Sequence, residues 1–322
     1  MSPKSPLPHP VVVFGTVCLD RVRRLPNLPA PGGYVEAIDE ALALGGEAAN
    51  TALALAAWGG SPILASNPLG DDADGQDLRH RVRAREVDLR ELRTPLPTKA
   101  PVCDVFVTPD GERTMIGRGF SALDETIDLS KLPLHDGGLF AAEPNMAESS
   151  RAAVRMAAAA GMRTYVMDFV RPQETIGPGS FWQSSTDWAG KRENVDGNRL
   201  FVDDLVARTG ATAILTDGPN GFVCGSPGRP ARFYAPFPTP ATVDATGAGD
   251  TFRAGMLHGL SHRWPLHECL RFAAAAGALS VGYLGASNRI PTVAEIDQHI
   301  RSNPQIAQAY EVAELSHGAR GR

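Results

Sequence analysis

Apolar, β-branched residues run unbroken from Val11 to Gly15 behind a proline-rich stretch, the pattern of a strand buried on both faces. Residues 21–44 hold several Pro and Gly and alternate only weakly, which predicts an irregular segment with one or two exposed strands. From 48 to 58 Ala and Leu recur at helical spacing behind Gly45-Gly46, predicting a buried helix. Residues 61–65 predict the next strand and 76–86 a polar, Arg-rich helix. Between 102 and 116 the chain alternates around Pro109-Asp-Gly111, a hairpin pattern.

Beyond the hairpin the pattern becomes a repeating unit. Strands are predicted at 138–141, 164–168 and 213–216, with helices at 149–160 and 199–209 between them. Further strands are expected near 223–225 and 232–235, and helices at 251–261, 266–281 and from 303 into a polar tail. Strand and helix in alternation mean a mostly parallel central sheet with helices on both faces, a three-layer α/β/α arrangement. With no internal repeat or long linker, the expectation is one α/β domain over 11–300, flexible tails at 1–10 and 315–322, and a small β lid from about 21–44 and 99–120.

Composition narrows the function classes. The 322 residues are 43 % hydrophobic and 21 % charged, with 33 Gly and 26 Pro, an ordinary globular balance. A net charge of -5 argues against a nucleic-acid partner, which calls for a basic stripe. No apolar run is long enough for a membrane span, and the first ten residues, with four prolines, do not read as a signal peptide. Cysteines at 18, 103, 224 and 269 stand too far apart for a Cys-x-x-Cys zinc site; isolated thiols fit a reduced, cytoplasmic protein.

Three segments carry candidate chemistry. In Asp244-Ala-Thr-Gly-Ala-Gly-Asp250 two glycines open a helix. Amides of Gly247, Ala248 and Gly249 would then face an anion, and Asp250 beside them could take a proton from an alcohol. The same spacing fits a carboxylate that merely caps the helix, and spacing alone does not separate the two. Gly45-Gly-Glu-Ala-Ala-Asn50 opens another helix; its glycines admit a ligand to the backbone and Asn50 suits a polyol, but a tight turn with Asn50 exposed fits as well. Thr216-Asp-Gly-Pro-Asn-Gly221 follows a strand where α/β proteins bind ligands, or is an ordinary turn.

Taken together, Gly45-Gly-x-x-Ala-Asn50 and Asp244-x-Thr-Gly-Ala-Gly-Asp250 resemble the two signatures of the ribokinase-like carbohydrate kinases, the PfkB family. Asp20, Gly70-Asp-Asp-x-x-Gly75, Gly111-x-Arg113-Thr114, Asp168-x-x-Arg171 and Thr216-x-Gly-x-x-Gly221 follow in the family's order, over roughly 11–300. The resemblance implies a ribokinase-like fold and transfer of the γ-phosphate of ATP to a hydroxyl of a small sugar or sugar derivative. It implies Asp250 as base, and Gly247, Ala248 and Gly249 as anion hole. Asp20, Gly45, Gly46, Asn50 and Asp168 fall on the substrate side, with Arg113 or Arg171 reaching a phosphate. Thr216, Gly218, Gly221 and Thr246 fall on the nucleotide side. Mg²⁺ would accompany ATP, and the backbone of Asp244 and Thr246 is similar to a K⁺ site of some members. A homodimer formed through exposed lid strands is a further expectation.

Two departures stand out. The family's magnesium-linked Asn-x-x-Glu between the Asp168 and Thr216 strands is not found in Lys191-Arg-Glu-Asn-Val-Asp-Gly-Asn198. Gly285-Ala-Ser-Asn-Arg289 carries Arg where some members have Ser, so a guanidinium could stand in for K⁺. These leave room for a nucleoside or vitamin-precursor kinase of the same fold, or a non-catalytic ligand sensor. His258 and His262, four apart, read as a packed or surface pair, and Trp182 and Trp188 as packing. A P-loop kinase is excluded because no Gly-x4-Gly-Lys-Ser/Thr occurs.

Overall fold

In the computed structural model, residues 11–96, 98–169, 176–239 and 241–315 are described. In chain order the strands are β1 (Val11–Gly15), β2 (Cys18–Arg24), β3 (Asp39–Gly45), β4 (Ile63–Ser66), β5 (Asp88–Glu91), β6 (Val102–Val107), β7 (Arg113–Arg118), β8 (Leu139–Ala142), β9 (Arg163–Met167), β10 (Phe181–Ser185), β11 (Thr212–Thr216), β12 (Phe222–Ser226) and β13 (Arg229–Tyr234). The helices are α1 (Glu47–Ala57), α2 (Ala73–Arg83), α3 (Ala147–Ala159), α4 (Thr186–Ala189), α5 (Val195–Thr209), α6 (Ala248–Ser261), α7 (Leu266–Ser280), α8 (Val293–Ser302) and α9 (Pro304–Leu315).

β1 is buried along its whole length because both its faces are covered. It lies inside a sheet ordered β13-β12-β11-β10-β9-β8-β1-β4-β5, parallel from β11 to β5, with β12 and β13 antiparallel at one edge. Alternate side chains of β1 feed two cores. Val11 and Val13 pack with Leu53, Met256 and Phe272 from α1, α6 and α7, while Val12 and Phe14 pack with Val154 and Val202 from α3 and α5. That is the expected three-layer arrangement.

Every strand that the repeating unit predicted is present, and the hairpin around Pro109-Asp-Gly111 is β6 and β7. It joins a second sheet, ordered β3-β2-β6-β7, which draws on both segments expected to form the lid. Besides the short helix α4, three elements lay outside the apolar pattern. β10 ends in Gln183-Ser184-Ser185, polar residues whose first two are buried, so neither alternation nor an apolar run marks it. Short β5 is polar, Asp-Leu-Arg-Glu. α8 opens on a Thr292/Glu295 capping box, a local signal independent of periodicity. The polar helix α2 begins before residue 76, because Asp72 caps it by accepting from the Gly75 amide at 3.0 Å.

α6 and α7 approach closely where Gly255 and Gly259 face Ala273 and Cys269; a Cβ on Gly255 would lie 2.6 Å from Ala273 Cα. This seats α6 deep in the core, with all residues from Asp250 to Ser261 buried. Among the described residues, no helix is long and apolar enough to cross a membrane.

Candidate active site

Two helices that start on glycines meet at the carboxyl ends of the parallel strands, where α/β sheets bind ligands. α1 is preceded by Gly46 (φ 96°) and α6 by Gly247 (φ 78°), conformations that side chains rarely adopt, and no side chain caps either helix. Their first amides therefore keep free donor capacity. A side chain at 46 would run into the Thr16 carbonyl at 2.2 Å, and one at 247 into Ala286 Cβ at 2.5 Å. Of the expected anion-hole amides, Ala248 N–H makes a long bond to the Ala245 carbonyl, 3.3 Å.

Asn50 and Asp250 link the two helices. Asn50 Nδ2 donates to Asp250 Oδ2 at 2.8 Å; Asn50 Oδ1 is buried with no hydrogen-bond partner, and Asp250 Oδ1 has no hydrogen bond but lies 3.5 Å from the Arg253 guanidinium. An exposed Asn50 and a purely capping Asp250, the plainer readings of the spacing, do not describe this geometry. Burial raises the Asp250 carboxyl to about 6, against the lowering by the Arg253 guanidinium and the Asn50 amide. Asp20 on β2 lies against Gly45, where any Cβ would overlap its carboxylate at 2.0 to 2.2 Å. Burial pushes Asp20 up to about 7, opposed by the Cys18 thiol, which donates at 3.2 Å.

Asp168 sits just past β9 with φ 56°, an unfavourable backbone for a side-chain-bearing residue, and accepts from Ser184 Oγ at 2.6 Å. Thr216 closes β11 and donates to the Ser184 carbonyl at 3.2 Å; the following turn, with Gly218 and Gly221, is tied by Asp217 N–H to the Gly221 carbonyl at 2.8 Å. Asp244 is 1 % exposed and its carboxylate accepts from the Thr246 and Gly285 amides at 2.9 and 2.8 Å, so it joins two loops. Thr246 Oγ1 is buried and unpartnered. Arg289 is turned elsewhere: it pairs with Glu295 and stacks over Tyr283 at 4.1 Å, so a guanidinium standing in for K⁺ finds no support. Arg113 is exposed on β7, and Arg171 lies outside the described residues.

The sequence reading passed over several neighbours. Glu143 directly follows β8 and is fully buried, accepting from the Thr16 and Asn145 amides. Glu47 in the first turn of α1 accepts from Asn145 Nδ2 at 3.1 Å, and burial raises its carboxyl. Gln183 on β10 donates to the Gly249 carbonyl at 3.0 Å. Arg253, three residues after Asp250, is completely buried. The end of β10 lies in the stretch where the family's Asn-x-x-Glu was expected. Between the Asp168 and Thr216 strands the chain reads Ser184-Ser-Thr-Asp187, a small polar residue and a carboxylate at the same spacing. Burial raises the Asp168 carboxyl, and the charge of Asp187 adds to that rise.

Of the features set aside, His258 is packed among Trp58, Trp264 and Phe272, and burial lowers it to about 4. Trp182 is packed edge-on to Phe201, whereas Trp188 is 69 % exposed and is not packing.

A doubly covered, mostly parallel sheet, a second small sheet, and a carboxylate at an uncapped helix start define an α/β fold with a candidate anion-binding site. The sequence matches the pfkB family carbohydrate kinase description over residues 9–169 and 188–293, and the chain belongs to that family. It is 29 % identical to a Dictyostelium discoideum protein described as an uncharacterized sugar kinase, over 91 % of this chain and 98 % of that one. The fold is shared with Arabidopsis thaliana ribokinase complexed with ribose and ATP (TM-score 0.72, 21 % identity, 91 % of this chain and 99 % of that one). It is shared equally with a Burkholderia thailandensis nucleoside kinase in complex with inosine (TM-score 0.71, 19 % identity, 91 % and 98 %).

Proposed function

We propose that this chain transfers the γ-phosphoryl group of ATP to a hydroxyl of a small sugar or sugar derivative, with Asp250 as the base. The observation that carries this is the Asn50–Asp250 hydrogen bond, which joins the two signature helices at their uncapped starts. The acceptor hydroxyl would approach Asp250 Oδ1, which accepts no hydrogen bond, and give up its proton there. As the new O–P bond forms and the bond to ADP breaks, the amides of Gly247 to Gly249 receive the charge spread over the transferring group. Asp20 and the Asn50 carbonyl oxygen, both buried, hold the acceptor's other hydroxyls, and Thr216, Gly218 and Gly221 flank the nucleotide.

Mg²⁺ needs only one or two carboxylates beside the phosphates, and Asp168 and Asp187 are the residues that would hold it. Bound there with ATP, the ion would neutralise charge on the phosphates. The Asp244–Thr246 loop is the place where a monovalent cation would sit.

Purified protein with ATP, Mg²⁺ and a panel of sugars should release ADP with at least one of them, and Asp250→Asn should remove that turnover. Release from nucleosides alone would reassign the acceptor while keeping the chemistry. Ligand-induced thermal stabilisation with no ADP release from any acceptor would mark a sensor and end the kinase reading.

A further inference from the structure

A guanidinium buried beneath the proposed base is the feature that the phosphotransfer scheme leaves unused. Arg253 is 0 % exposed, near the start of a helix buried from Asp250 to Ser261. Burying a guanidinium is costly unless it is paired and hydrogen-bonded, so its partners report why it is retained. Nε donates to Thr51 Oγ1 at 2.9 Å, and Nη2 donates to the Glu47 carbonyl at 2.6 Å. Nη2 also lies 3.5 Å from Asp250 Oδ1, and Nη1 is buried with no partner. Thr51 Oγ1 itself donates to the Glu47 carbonyl at 2.9 Å. One side chain of α6 thus grips the first turn of α1 on both sides of Asn50.

We propose, resting on the assignment of Asp250 as base, that Arg253 is a positioning residue: it locks the first turn of α1 to α6, so that Asn50 and Asp250 meet the acceptor in fixed register and Asp250 meets it ionised. Asn50 sits between Glu47 and Thr51, so a shift of that turn by a fraction of an ångström changes the 2.8 Å Asn50–Asp250 contact directly. Transfer rates are steep in such displacements. The charge around Arg253 points the same way. Carboxylates from every side act on it or on Asp250: Glu47 from α1, Glu143 after β8, Asp168 after β9 and Asp20 from β2. The Tyr165 hydroxyl also feels its charge. The guanidinium lowers Glu47, Glu143, Asp168 and Asp250 alike, and without it the buried negative charge would draw protons onto the base.

The test uses the full-length protein labelled with ¹³Cγ-aspartate, together with steady-state kinetics. The wild-type spectrum minus that of Asp250→Asn assigns the Asp250 resonance. Arg253→Met should shift its titration midpoint upward by about one pH unit or more, and the acid limb of kcat/KM should move with it. Arg253→Lys should hold the midpoint near wild type, because the cation remains. It should still lose about tenfold or more in kcat with KM little changed, because Lys cannot reach Thr51, Glu47 and Asp250 together. In an Asp250→Asn background Arg253→Met should cost little further turnover, since both act through one group. An unmoved Asp250 midpoint in Arg253→Met, or wild-type kcat in Arg253→Lys, would overturn the proposal. If Arg253→Met does not fold, Arg253→Lys decides by its kcat. If no acceptor is turned over at all, the kinase reading fails, while the NMR midpoints still report whether Arg253 governs Asp250.

Discussion

The floor of the site and the lid above it are built on opposite terms. On the floor, Arg253, Asp250 and Asn50 are 0, 5 and 8 % exposed, and each polar contact crosses between helices that are distant in sequence. On the lid, all six residues of β7 are exposed, Met115 by 52 % and Ile116 by 61 %, and only Val22, Val105 and Val107 form a small cluster of their own. The floor is organised before any ligand arrives, whereas the lid lacks the contacts that would cover it. Under the proposed function the difference puts the chemistry and the Asn50 contact on the floor, while Asp20 on β2 and the exposed β7 are what the second sheet could bring to the acceptor.

The sharpest test of the floor is Asp250→Asn. The amide keeps the shape and the proximity to Asn50 but cannot take a proton, so kcat should fall by about 10³- to 10⁴-fold in an ADP-release assay. Melting temperature should not drop, because a buried ionisable group is being replaced by a neutral one. A smaller effect is expected from Gly247→Ala. At φ 78°, with Ala286 Cβ 2.5 Å from the new methyl, the start of α6 must shift. The backbone strain alone costs about 1–3 kcal/mol, read as a lower melting temperature, and displaced amides should lower kcat by roughly tenfold or more.

Asp20 separates binding from stability. Its folded pKa of about 7 lies above the usual value of 3.8, so the folded state holds a proton that the unfolded chain releases. The stability this supplies is complete below pH 3.8 and is lost as pH rises through about 7. Asp20→Asn should therefore melt higher than wild type at pH 8, by an amount on the order of 2–4 kcal/mol, and equally at pH 4. Acceptor KM should rise in the same variant if Asp20 holds a hydroxyl. A variant less stable at pH 8 would contradict the burial account.

Much of this division was legible in the chain. Glycines at 46 and 247 mark helix starts that a side chain could not make, and the repeating strand–helix unit set the sheet around them. What stayed hidden was what depends on distance in space. Nothing near Arg253 in sequence shows that Glu47 and Thr51, about 200 positions earlier, will surround it. β10 escaped because its buried end is polar: Gln183 and Ser184 serve Gly249 and Asp168, so function replaced the apolar pattern that marks a strand. Glu193 and Asn194, in the stretch 191–198 where the magnesium-linked motif was expected, are exposed.

The smallest effects belong to the lid, and they sharpen the comparison most. Ile116 is on β7, an edge strand of the second sheet, and is 61 % exposed. An exposed apolar residue on a free edge suits either closure over an acceptor or pairing with the same edge of a second copy. Ile116→Ser should leave kcat within about twofold and stability within about 0.5 kcal/mol, as for surface substitutions generally. If the edge closes over the acceptor, KM should rise several-fold while sedimentation velocity gives the wild-type mass. If the edge pairs with a second copy, the wild type should sediment as a dimer and the variant should shift toward monomer, with KM following the loss of the partner. A fall in kcat without either change would place the lid in the chemical step, and the division between floor and lid would not stand.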